Sequence, residues 1–277
     1  MNALPSAQPQ FWRAPALPFA ESRRAQHSRA CYRAHSHATL SIGVVDEGES
    51  IFRSGGHSTP LAAGSLVSVP AGRVHACNSV PGSTWSYQML HLDAAWAAQV
   101  LQHGGAAGLP GQAHVLHSAV AYGAFCTLNA TLFSSAPAAH KAQALTDFLL
   151  HGAWRHDALP VPGPARPSAA VARVLSALHE RPCDPWPLPA LAQLAGMTPQ
   201  ALTRAMRAAT GLTPHAYQID LRINAARQRL RAGKPLAAVA HEVGFYDQSH
   251  FHHSFHERVA ATPRRYQHAG QHSHQHD

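Results

Sequence analysis

Cysteine is scarce and scattered in this chain. Cys31, Cys77, Cys126 and Cys183 form no CxxC pair and no dense framework, which excludes a disulfide scaffold and suits a reducing compartment. Long apolar runs are missing too: none approaches the roughly 20 residues that cross a bilayer. The N-terminal stretch MNALPSAQPQFWRAPALPFAESRR lacks the charged start, apolar middle and small-residue cleavage site of a signal peptide. The expectation is a soluble protein of the cytoplasm, with no membrane partner. Acids are few, 14 against 22 Lys and Arg, while hydrophobic residues reach 45%, enough to build a core and to exclude wholesale disorder. A length of 277 residues accommodates two ordinary domains.

The net charge of +8 is unevenly placed. Between Arg166 and Gln267 there are 13 Arg and Lys against 6 Asp and Glu, whereas the first 165 residues hold 9 against 7. A basic module joined to a near-neutral one points to a polyanion met by the C-terminal part only. The excess is too modest for a DNA-packaging protein.

Along the chain, residues 1–30 are Pro/Ala-rich and poorly periodic and read as a loose or partly wrapped arm. Short alternating runs follow, broken by turns, as in antiparallel β structure: Thr39–Val45 with Leu40, Ile42 and Val44 on one face, then Ile51–Arg53, Leu66–Val69 and Trp85–Leu92. Beyond Asp93 the period becomes helical. Trp96, Val100 and Leu101 fit a helix ended by Gly104-Gly105, and Ala119–Phe133 and Ala138–Arg155 read as two more. The apolar stripe Leu145, Phe148, Leu149, Gly152 suits packing within the chain or against a second copy, and the second option makes a homodimer an expectation. Four prolines between Leu159 and Pro167 favour an extended spacer, so residues 158–167 are read as a linker. The reading divides the chain into 31–157, a ligand-sensing and dimerising domain; 168–267, a helical domain; and a His-rich tail, 268–277, read as a mobile polar extension that has metal-chelating composition.

The helical part contains a repeat. Leu188, Leu191 and Gly196 correspond to Leu236, Val239 and Gly244, and Thr198, Leu202 and Met206 to Asp247, Phe251 and Phe255. Each copy is a short helix, a Gly suited to φ > 0, a side chain able to cap, and a second amphipathic helix: the grammar of a helix-turn-helix. The outward faces of the second helices carry Gln200, Thr203, Arg204 and Arg207 in the first copy and Ser249, His252, His253 and His256 in the later one. These groups suit base edges and phosphates. Thr213–Leu230 reads as one connecting helix of roughly 27 Å, near enough to the ~34 Å DNA turn for both units to reach successive major-groove segments.

The stretch Leu188–Tyr266 resembles the DNA-binding domain of AraC-type regulators over essentially its whole length. The residues that carry the resemblance run from Leu191-Ala192 through Ala195-Gly196-Met197-Thr198, Thr210–Pro214, Leu221-Arg222 with Ala225-Ala226, Val243-Gly244-Phe245, Asp247–Phe251, Phe255 and Thr262-Pro263. The resemblance implies base contacts from Gln200, Thr203 and Arg204 in the first unit and from Gln248, Ser249, His252 and His253 in the second. It implies double-stranded DNA as partner, and RNA polymerase as a further one. Where the family commonly has Arg, this chain has His253, which cannot copy a guanidinium fork; His256 also departs, as does Ala260, where Gly is common. The first unit is therefore expected to carry more of the sequence specificity.

In the β-rich part, Arg33-Ala34-His35-Ser36-His37 and Gly64-x5-Pro70-Ala71-Gly72-x2-His75-x2-Asn78 resemble the two motifs of cupin barrels, the usual AraC-type sensor, although no Glu follows His37 in the expected place. The implied fold is multidomain: an N-terminal all-β cupin-like barrel with flanking helices, and a C-terminal all-α domain with two helix-turn-helix units. His35, His37 and His75 are candidate ligand-binding residues for a small-molecule effector. Three histidines also suit a divalent metal with an open position, which keeps a rival reading, a metal-dependent dioxygenase or isomerase fused to a DNA-binding domain. The preferred reading is a regulator with no catalytic residue, resident metal or cofactor.

Overall fold

The computed structural model describes residues 9–269 apart from 107, 156, 157 and 165. The N-terminal half comprises strands β1 (Gln10–Trp12), β2 (Ala20–Ser28), β3 (Thr39–Glu47), β4 (Glu49–Ser54), β5 (His57–Ala62), β6 (Ser65–Val69), β7 (His75–Ser79), β8 (Trp85–Asp93), β9 (Ala113–His117) and β10 (Leu159–Val161), with helix α1 (Ala94–His103) after β8 and α2 (Ala119–Phe133) and α3 (Ala138–His151) after β9. Seven strands form one sheet in the order β1-β2-β8-β3-β6-β9-β10, and β5-β4-β7 form a second. Side-chain alternation sets the layers. Leu40, Ile42, Val44, Leu90 and Leu92 pack under α1, α2 and α3. The alternate positions Trp85, Tyr87 and Met89 meet Phe52, Leu61 and Cys77 of the smaller sheet.

In this half the structure departs from the sequence reading at the arm, at the end of α3 and in the proline-rich stretch, and it takes the within-chain alternative for the α3 stripe. Residues 1–30 are not a loose arm within what is described: β1 and β2 belong to the large sheet, and β2 pairs with β8 along most of its length. The segment AESRRAQHS looks like surface coil because its inward side carries Glu21 and Arg23 in place of apolar residues. The stripe Leu145, Phe148 and Leu149 is buried against α1 and α2, so it is spent inside the chain. The helix that contains it stops at His151, not Arg155, because Gly152 turns extended (ψ 134°) and a short 3-10 turn, Ala153–Arg155, lets the Trp154 indole N–H donate to the Phe148 carbonyl. The proline-rich stretch also begins as structure: Leu159–Val161 pairs with β9, and Arg73 holds the Pro162 carbonyl at 2.8 Å.

The C-terminal half is helical: α4 (Ala169–Glu180), α5 (Leu188–Ala195), α6 (Pro199–Thr210), α7 (Pro214–Arg231), α8 (Leu236–Glu242), α9 (Gln248–Val259) and α10 (Pro263–His268). The repeat folds as two units. Thr198 caps α6 by accepting from the Ala201 amide, and Asp247 caps α9 by accepting from the His250 amide, while Gly196 and Gly244 take φ of +65° and +84° in the turns before them. Each unit has its own core. Leu191, Leu202 and Met206 pack with α4 and Tyr217. Val239, Phe245, Phe251 and Phe255 pack with Ile223, Leu230 and Tyr266. Helix α7 contributes to both cores and joins them.

Helix α9 ends on Ala260 in the left-handed region, φ +50°. An L-residue is strained there and Gly is not, so Ala260→Gly is expected to stabilise the second unit by about 0.5–1 kcal/mol. Thermal unfolding monitored at the Tyr266 environment checks this, and an unchanged or lower midpoint would contradict it. Most of the tail, residues 270–277, lies outside the described residues.

Candidate DNA face and a cavity shared by two domains

On the two second helices, Gln200, Arg204, Arg207, Gln248, Ser249 and His253 are exposed, and Thr203 and His252 are half-buried. The first face is free of acids. Thr203 turns its hydroxyl back to the Pro199 carbonyl at 2.8 Å, which leaves its methyl outward-facing at most. The second face is compromised. His253 lies 3.0 Å from Glu257, and Glu257 in turn pairs with Arg33 of the N-terminal half at 2.8 Å. The C-terminal end of α9 is thus attached to the N-terminal half. Arg33 donates its amide to the Glu257 carbonyl (3.0 Å), and Arg23 donates to the Val259 carbonyl (2.7 Å).

These contacts border a small cavity of about 50 Å³ between the sheets and the helical half. The N-terminal half supplies Glu21 and Arg23 from β2, the imidazoles of His35, His37, His75 and His91, and the rings of Tyr32, Trp85 and Tyr87; the helical half closes it with Arg227 of α7 and Arg258 and Val259 of α9. His35, His37 and His75 come together, with ligand-capable nitrogens all within 4.8 Å of one another, and all three are buried. A backbone bridge between His35 and His75 fixes the first loop on β7. His35 and His75 each set Nδ1 against a backbone carbonyl, Arg33 at 2.7 Å and Arg73 at 2.9 Å.

Burial lowers the basicity of all four imidazoles. His75 falls to about 4 despite its carbonyl bond, and His91 to about 3 through burial and then the Arg227 charge. His35 and His37 fall well below the usual range through burial and then their neighbouring imidazoles. At neutral pH these rings are uncharged.

Glu21 is the cavity's anion and its link to the other domain. It accepts from Arg13 (2.8 Å), from Arg227 (3.1 Å) and from the Tyr266 hydroxyl (2.8 Å). Burial raises its pKa, but Arg13 and Arg227 outweigh burial and hold it well below the carboxylate range. A second link lies alongside. Asp220 of α7 accepts from the Ser36 amide (3.0 Å) and hydroxyl (2.5 Å), and Asn224 donates to the Ser36 carbonyl. Burial raises Asp220 to about 6, since the facing Arg258 stands 3.9 Å away, too far for a hydrogen bond. A third link is Arg227, which donates to His37 Nδ1 at 2.7 Å.

Two family models match this chain: an AraC-like ligand binding domain over residues 20–154 and a helix-turn-helix domain over 191–269. The chain belongs to the AraC family of transcription regulators. The uncharacterized HTH-type transcriptional regulator YbfI of Bacillus subtilis is 27% identical to it over 220 residues, covering 78% of this regulator and 80% of YbfI. RclR of Escherichia coli, an RCS-specific transcriptional activator, is 31% identical over 94 residues, 34% of this chain and 33% of RclR. ToxT from Vibrio cholerae has the same two-domain fold: TM-score 0.55 at 10% identity, covering 94% of this chain and 96% of ToxT. A ToxT structure with bound unsaturated fatty acid superposes with TM-score 0.56 at 11% identity, over 97% of both chains. The sensor match begins at residue 20, the first residue of β2, in keeping with that strand's place in the sheet. No helix among the regulator's described residues is long and apolar enough to cross a membrane.

The sequence motifs located three of the cavity's histidines and missed Glu21, Arg23, His91, Arg227 and Arg258. His91 was within reach, since it continues the alternation Trp85, Tyr87, Met89 along β8. The arginines were not, because the polar face of an amphipathic helix looks the same whether it meets water or another domain.

Proposed function

We propose that an effector occupying the shared cavity sets how the DNA-binding domain rests on the sensor, and thereby controls sequence-specific binding to double-stranded DNA. The observation that carries this reading is the double ownership of the cavity wall: Arg227, Arg258 and Val259 come from the helices that bear or brace the second DNA-reading helix. A ligand there contacts both domains at once, so its affinity differs between docked and released arrangements, which is what allostery requires. The fatty-acid-bound ToxT structure supports a small-molecule occupant in this fold.

Gln200, Thr203, Arg204 and Arg207 are proposed to read one major-groove segment, and Gln248, Ser249, His252 and His253 the next. His253 is engaged by Glu257, which supports the ranking of the first unit above the second. Arg204→Ala is expected to cost about 1–3 kcal/mol of discrimination at one base step. Selection of bound DNA from a random pool checks this. Wild type should enrich two blocks about one helical turn apart, and the variant should lose preference in one. A larger loss from His253→Ala than from Arg204→Ala would reverse the ranking.

The reading extends to a cytoplasmic protein without catalytic residues, acting as a homodimer and meeting RNA polymerase. With the α3 stripe buried, the homodimer rests on the family resemblance. Sedimentation with and without DNA decides it, and a monomer in both states removes it.

A further inference from the structure

We propose that the cavity takes a divalent transition-metal ion on His35, His37 and His75, and that metal coordination by His37 and its hydrogen bond from Arg227 exclude each other, so that the metal releases the DNA-binding domain from the sensor. The inference rests on the reading of the cavity as an effector site and names the effector's class.

The argument starts from tautomers. His35 and His75 place Nδ1 against backbone carbonyls, which only accept, so Nδ1 carries the proton and Nε2 keeps its lone pair. Orienting a ring through a carbonyl in this way is the usual support for a metal-ligating histidine. His37 differs. Its Nδ1 faces the Arg227 guanidinium, which can only donate, so the lone pair is on Nδ1 and the proton on Nε2. A neutral imidazole has one lone pair. If a metal takes Nδ1, it displaces Arg227 directly. If it takes Nε2, the proton must move to Nδ1, where it confronts another N–H. Either way the bond between the domains is lost.

Geometry and charge agree. Zinc–imidazole bonds of about 2.0–2.1 Å in a tetrahedral site place ligand nitrogens about 3.3 Å apart. The three rings, now within 4.8 Å, must therefore draw together, and His37 is the ring that the other domain holds. A dication beside Arg23, Arg227 and Arg258 is repelled, and two of those three cations belong to the DNA-binding domain, so its departure relieves the repulsion while Glu21 stays with the metal.

The test uses the full chain with His272, His274 and His276 replaced by Gln, so that the tail does not contribute. Cobalt(II) is titrated by its visible absorption, and DNA affinity is read by fluorescence anisotropy on the selected site. The expected results are one equivalent of cobalt, its loss in His75→Asn, and tighter DNA binding when cobalt is bound. Arg227→Gln should bind cobalt about tenfold more tightly and show DNA affinity that no longer responds to it, as reciprocal linkage demands. If Arg227→Gln is unfolded by circular dichroism, Asn224→Ala, which weakens the same docking without touching the histidines, should show the tighter cobalt binding instead. No cobalt bound to the folded chain, or cobalt binding that neither variant alters, overturns the proposal. In that event an altered DNA affinity in Arg227→Gln leaves the effector reading standing, and an unaltered one removes that reading too.

Discussion

Glu21→Gln is expected to lower the stability of the full-length protein by about 3–5 kcal/mol, the cost of taking one partner from a buried ion cluster. Glu21 is 1% exposed and is the shared anion of Arg13 and Arg227, so the neutral amide leaves two buried guanidinium groups uncompensated. Part of the loss falls on the contact between domains, because Arg227 and Tyr266 belong to the helical half and Glu21 to the sheet. Urea unfolding should change from one transition to two, the helical domain separating first. The pH dependence has a definite sign. The folded pKa lies well below the ordinary 4.5, so this stabilisation is complete above that pH and drains away as the pH falls below it. Wild type should lose stability through that acid range, and the variant should be flatter there. A variant as stable as wild type at neutral pH would mean that the cluster's attraction barely exceeds its desolvation cost, and that the domains are held by other contacts.

Phe251→Ala is expected to cost about 3–5 kcal/mol, the usual price of emptying a buried phenylalanine site. The ring is fully buried in the second unit's core, edge-on to Phe245 and Phe255. The first unit has a separate core built on Leu202 and Met206, so damage should be confined. In DNA selection the variant should keep the block read by α6 and lose the one read by α9. Loss of both blocks at a temperature where the first unit is folded would show that α7 couples the two cores tightly, contrary to this division.

Much of the helical domain was legible because its rules are local. Gly196 and Gly244 in left-handed turns, Thr198 and Asp247 as caps, and the 3.6-residue spacing of Leu202 and Met206 are each decided within a few residues of chain. Strands β3 and β8 were legible through alternation. Strand β2 was not, because a strand lining a polar cavity has no apolar side to alternate: Glu21 and Arg23 occupy positions that a core would give to Val or Leu. Sequence rules fail where a buried position has been given to chemistry. Likewise the stripe on α3 was visible, but whether it faced α2 or a second copy was not.

By itself the sequence determined the two helix-turn-helix units and the outward faces of their second helices, through short-range periodicity and capping, and it grouped His35, His37 and His75 through motif resemblance. Only the tertiary structure decided that His91 joins these three, that the cavity is charged by Glu21, Arg23 and Arg227, and that α9 ends against the sensor. Those are contacts between residues as many as 236 positions apart, as for Arg23 and Val259. Nothing local marks a side chain for such a partner, because its energy depends on a counter-charge that another domain brings into a dry site.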